Sequence, residues 1–176
     1  MIDFSRNHFA LFGLPPRYRI DDAALDAAYR ALQAEVHPDR FAGGTDAQRR
    51  IALQASARAN EAYGALKGPV SRAQYLLSLH GVDAADEKDT ALDFDFLERQ
   101  LERREQAEEA QDASDVRTLE SLHAAALAEA RELEDALARE LDREGADFAA
   151  AKPRVRELAF LVKLADDLDA MIAVLD

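Results

Sequence analysis

The chain has 176 residues, 48% apolar and 32% charged, with 22 Lys+Arg against 35 Asp+Glu for a formal net charge of −13. That length allows one domain or two small ones, and so negative a chain lacks the basic surface that general nucleic-acid binding needs to displace counterions. Having no cysteine, it offers no disulfide, no thiolate ligand for zinc or an iron–sulfur cluster, and no thiol nucleophile.

The opening residues MIDFSRNHFALFGLPP lack the basic stretch, apolar run and cleavage site of a secretory signal. No run approaches the ~18 apolar residues of a membrane span. A cytoplasmic protein without a membrane or nucleic-acid partner is therefore expected. In chain order, a short helix is expected first. Leu25, Ala28, Tyr29, Leu32 and Val36 then recur at helical spacing after a cap at Asp21 or Asp22. Thr45-Asp46-Ala47-Gln48 fits a capping box for the next helix, whose apolar positions are Ile51, Ala55, Ala59, Ala62 and Leu66. Another segment follows Pro69 and stops at Gly81. The stretch 83–92 is polar and aperiodic, and reads as a linker. Beyond it, three helices are expected: one over about 93–111, one from a Ser114 or Asp115 cap to Leu141, and one from about Lys152 to Leu175. Because Pro153 costs a helix one hydrogen bond, residues 147–151 are expected as a kinked first turn. No strand pattern competes. The fold class is all-α: a helical hairpin with flanking helices over 1–82, and a three-helix bundle over 93–176. Charge divides at the same place, with a net of +2 over 1–82 and −15 over 83–176.

The connection between the two long N-terminal helices is Val36-His37-Pro38-Asp39-Arg40-Phe41-Ala42-Gly43-Gly44. Pro38 drives His37 out of the helical region, so the helix ends there and His37 and Asp39 are presented at a bend. On composition alone, Pro38 could simply stop a helix while Asp39 caps a turn. The remaining histidines, His8, His80 and His123, match no ligand spacing. They read as solvent-facing or capping residues, and no metal site is assigned.

His-Pro-Asp between two amphipathic helices, followed by Asn60-Glu61-Ala62-Tyr63 and Leu66, resembles the J domain, the module by which co-chaperones engage DnaK-type ATPase chaperones. Phe9-Ala10-Leu11-Phe12-Gly13-Leu14-Pro15, His37-Pro38-Asp39-Arg40-Phe41 and the block from Arg72 to Gly81 are similar to the HscB family, the J-type co-chaperones of iron–sulfur cluster assembly. The similarity continues through Phe96-Leu97, Gln100-Leu101-Glu102 and Phe160-Leu161, and so spans the chain. It implies a J domain over 1–82 and a scaffold-binding bundle over 93–176. It further implies a protein that is not itself an enzyme and needs no cofactor. His37, Pro38, Asp39 and Arg40 would contact the chaperone HscA and stimulate its ATP hydrolysis. The C-terminal bundle of a monomer would bring it the cluster scaffold IscU. The positions matching the scaffold contacts are Leu97, Glu98, Leu101, Glu102, Glu105, Glu109 and Phe160.

The scaffold surface also has a reading independent of the family. With Leu97 set at 0° on a helical projection, Leu101 falls at about 40° and Glu105, Glu98, Glu109 and Glu102 at about 80°, 100°, 120° and 140°. An apolar edge thus runs into a carboxylate strip. The bland alternative is that the leucines pack in the bundle while the glutamates face water. One feature departs from the J-domain pattern. The helix before His-Pro-Asp carries Asp21, Asp22, Asp26 and Glu35 against only Arg30, so a basic docking face would have to come from neighbouring segments. Two other functions stay open: a J protein with a different client, and a metal-dependent hydrolase built on His37 and Asp39. The latter needs about three convergent ligands, of which the local sequence supplies one pair.

Overall fold

A computed structural model describes residues 6–84 and 92–175, so most of the expected linker lies outside the described residues. Helices are α1 (His8–Leu11), α2 (Asp22–Val36), α3 (Asp46–Lys67), α4 (Pro69–Leu79), α5 (Phe94–Asp112), α6 (Val116–Leu141) and α7 (Phe148–Leu175), with one 3-10 turn at Pro38–Phe41. The described residues are all-α, a helical hairpin with flanking helices followed by a three-helix bundle. The described chain falls into two compact units, one ending at Leu79 and one beginning at His80.

In the first unit, α2 and α3 pair antiparallel, as the hydrogen bonds between them show. Tyr63 donates to Asp26 at 2.9 Å, Tyr29 to Asn60 at 2.8 Å and Ser56 to Gln33 at 3.1 Å, the α3 number falling as the α2 number rises. The buried face of α3 is Ala52, Ala55, Ala59, Ala62 and Leu66. Four alanines there let the partner helices approach closely, and Leu25, Phe9, Leu76 and Leu77 fill the space beside them, all at most 1% exposed. Ile51, expected on this face, is instead 49% exposed, because the buried stripe starts one residue later, at Ala52. Thr45 Oγ1 accepts from the Gln48 backbone N–H while Gln48 Oε1 accepts from that of Thr45 at 2.8 Å, closing the capping box.

In the second unit, α6 and α7 form the main pair and α5 packs against both. Ala107 and Ala110 of α5 meet Leu119 and Ala126 of α6 and Leu164, Ala165 and Leu168 of α7 in one buried cluster. Arg103 of α5 reaches Glu129 of α6 at 2.6 Å, and Arg154 of α7 bonds Glu140 of α6. The α5–α6 turn resolves the two cap candidates. Ser114, at φ 54, ends α5, with its N–H on Gln111 O and the Asp115 N–H on Ala110 O, the pairing of a Schellman close. Asp115 then caps α6 through the Thr118 N–H at 3.2 Å. Helix α7 begins at Phe148 rather than near Lys152. Asp147 Oδ1 accepts from the Ala149 and Ala150 N–H groups at 3.1 Å, so the first turn is capped and Pro153 lies inside the helix.

Candidate functional site: an exposed corner and an acidic helix face

At the end of α2, His37 leaves helical geometry at φ −55, ψ 130, the extended region that a following proline imposes. The chain then makes one 3-10 turn, closed by Arg40 N–H on His37 O at 3.0 Å and Ala42 N–H on Asp39 O at 3.3 Å. His37 Nδ1 accepts from the Asp39 N–H at 3.3 Å and stands 3.6 Å from Asp39 Oδ2. The two side chains are 55% and 90% exposed, so an imidazole and a carboxylate face solvent together.

Two arginines brace this corner from behind. Arg40 Nη1 donates to Ala34 O at 3.0 Å and Glu35 O at 3.4 Å, placing its charge on the negative end of α2. Arg49 Nη1 donates to Gly44 O at 2.6 Å and its Nη2 to Asp46, tying the loop's exit to α3. Among the described residues no group of three or more His, Asp or Glu side chains could hold a metal ion, so the hydrolase alternative lacks its donor set there. The arrangement offers hydrogen bonds and charge to a partner.

The acidic face of α2 is largely answered within the unit. Asp26 accepts from Lys67 Nζ at 2.8 Å and from the Tyr63 hydroxyl. Those bonds, Lys67's first, hold its carboxyl below the usual carboxylate range, and they push the Tyr63 phenol and the Lys67 ammonium up. Asp22 pairs with the buried Arg72 at 3.0 Å. Sequence spacing could not reveal these partners, which lie 37 to 50 residues apart in the chain.

On α5, Leu97 and Leu101 are 40% and 60% exposed, and Glu98, Glu102, Glu105 and Glu109 are exposed beside them. None of these four glutamates pairs with a cation among the described residues. Phe160 of α7 is half-buried, its ring edge-on to Phe96 of α5 at 5.8 Å. It lines a groove between the two helices. All seven positions therefore belong to the second unit, with Phe160 on the groove side and the glutamates on the outer face. Sequence reading missed the buried Gln100 (2% exposed) in the same groove. A glutamine flanked by Arg99 and Leu101 carries no local mark of burial.

Comparison with known proteins covers both units. Residues 92–169 match the family model described as the HSCB C-terminal oligomerisation domain. A co-chaperone protein HscB homolog from Burkholderia multivorans is 48% identical over 176 residues, all of this chain and 99% of that protein. Chaperone HscB from Vibrio cholerae superposes with a TM-score of 0.85 at 34% identity, over 97% of this chain and all of that one. Human co-chaperone protein HscB gives a TM-score of 0.88 at 27% identity, over 96% of this chain and 83% of that one.

Proposed function

The chain belongs to the HscB family of co-chaperones, and from that membership we propose that it stimulates the ATPase of a DnaK-type chaperone, HscA, while delivering the iron–sulfur scaffold IscU to it. Its working parts are a J domain over 1–82, a linker over 83–92 and a scaffold-binding bundle over 93–176. His37, Pro38, Asp39 and Arg40 contact the chaperone's nucleotide-binding half. Nothing is hydrolysed on this chain, which acts as an adaptor in the cytoplasm and needs no cofactor of its own. One copy suffices for the reading, although the matched family model is described by oligomerisation.

The observation that carries the reading is the outward-facing His37–Asp39 pair at a braced helix end. Leu97, Leu101 and Phe160 supply an apolar contact for the scaffold, and Glu98, Glu102, Glu105 and Glu109 a field that attracts its cations. Because the two contacts share one chain, scaffold held by the bundle meets the chaperone at a raised effective concentration. Both contacts can then be weak, and release stays fast.

The test is the steady-state ATPase rate of HscA with increasing amounts of this protein. His37→Gln keeps a hydrogen-bonding side chain of similar reach but removes the imidazole. It is expected to cut the stimulation by roughly tenfold or more, equivalent to about 1.4 kcal/mol of coupling, with circular dichroism unchanged. Full stimulation by that variant contradicts the reading. A titration of IscU into the unmutated protein separates the cluster-specific client from another client, since no binding at all would leave only the J-domain half standing.

A further inference from the structure

Where α6 turns back into α7, the second unit encloses a small cavity of about 200 Å³ that shares no residue with the groove between α5 and α7. Its walls are Arg139, Glu140, Arg143, Asp147, Ala150 and Arg154. The turn reads Asp142-Arg143-Glu144-Gly145-Ala146-Asp147, and Gly145 at φ 69 takes the left-handed conformation that reverses the chain. Residues from the end of α6, the turn and the start of α7 thereby surround one space.

Three guanidiniums thus meet in a part of the chain that otherwise repels anions, since residues 83–176 hold 27 carboxylate side chains against 12 basic ones. Both carboxylates lining the cavity are engaged. Glu140 is bonded to Arg154, and Asp147 Oδ1 accepts from the Ala149 and Ala150 N–H groups at 3.1 Å. Arg139 and Arg143 pair with no carboxylate among the described residues. The negative end of α6 accounts for Arg139 in its last turn, but not for Arg143 beyond the helix. Two unanswered like charges at one small cavity repel each other, and an anion between them removes that cost.

We propose that this cavity binds a phosphate group, held by the guanidiniums of Arg139 and Arg143. It is smaller than the ~300–1,000 Å³ of pockets that enclose a drug-sized ligand, so it seats an anionic head and leaves the rest of a ligand outside. A carboxylate brings only one charge to the two open guanidiniums. A phosphate monoester brings about 1.5 to 2 negative charges at pH 7 and three acceptor oxygens, which suits two planar donor forks. Its source is free phosphate or a small monoester. The site stands apart from the chaperone and scaffold contacts, and the inference does not depend on that reading.

Titrating the isotope-labelled full chain at constant ionic strength, and following the backbone amide resonances of residues 139–154, tests it. The probes are inorganic phosphate and glycerol 3-phosphate, with acetate as the carboxylate control. Both phosphates are expected to shift these resonances to saturation, and acetate to bind about tenfold more weakly or worse. A tighter ester marks the monoester as the source, and equal affinities mark the free ion. Arg139→Gln and Arg143→Gln are each expected to weaken phosphate binding about tenfold, the scale of one charge-assisted contact. Arg131→Gln, exposed on α6 outside the cavity, is expected to stay within about twofold of the unmutated protein. Circular dichroism checks that the variants stay folded, and either cavity variant decides if the other does not. Shifts that never saturate overturn the inference. So does acetate binding as tightly as phosphate, or phosphate binding by both cavity variants within about twofold of the unmutated protein.

Discussion

His8 sits 5% exposed in α1, its ring stacked on Tyr75 at a centroid distance of 4.1 Å. Its backbone N–H donates to the Tyr75 hydroxyl at 2.9 Å, while its Nδ1 has no partner among the described residues. Burial pushes the imidazole pKa below its ordinary 6.5, Arg58 lowers it further and Glu61 opposes both. The folded state thus prefers the neutral ring, so the unfolded chain binds more protons near that pH. The stabilisation is complete above 6.5 and is lost as pH falls below it toward the depressed folded value. His8→Phe keeps an aromatic ring against Tyr75 and removes the titration. The midpoint of thermal unfolding is expected to drop less between neutral and mildly acidic buffer, above the carboxylate range, in His8→Phe than in the unmutated protein. Equal drops would show that the buried imidazole does not set the slope. Sequence reading gave His8 a solvent-facing or capping role, because its ring partner lies 67 residues away. The histidine at the corner was legible for the opposite reason, since its surroundings are set by the proline beside it.

At the scale of the element, local rules carried most of the reading. Thr45, Asp93 and Asp115 all cap the helices that follow them, and each is marked by a short polar side chain before a periodic run. What local rules could not supply is the phase of a shallow stripe. On α3 the periodic residues are mostly alanine, so a sequence choice between Ile51 and Ala52 favours the larger side chain, while the folded unit buries the smaller. Likewise, Pro153 argued for a late start to α7, yet the Asp147 cap lies ahead of it and one lost bond is tolerated inside a 28-residue helix. The capping box also matters to the corner, because it fixes where the loop rejoins α3. Replacing Thr45 by alanine is expected to cost about 1 kcal/mol of stability, read as a lower urea midpoint with an unchanged slope. An unchanged midpoint would mean that Gln48 or water replaces the cap without loss.

Across the whole molecule, the division of labour follows charge. The first 82 residues are near neutral at a net of +2, and the remainder carries −15. An exposed His37–Asp39 corner belongs to one unit, and an apolar edge beside unpaired glutamates belongs to the other. The two-part all-α plan was readable because helical periodicity, caps and the charge step agree with one another. The groove was not, since a cleft depends on which faces of α5 and α7 fail to close on each other. The central claim is that one chain engages chaperone and scaffold at once. Its most direct test is the ATPase rate of HscA measured with this protein alone, with IscU alone and with both together. Stimulation by the pair that exceeds the sum of the separate effects is the result expected, and a merely additive rate would contradict the account.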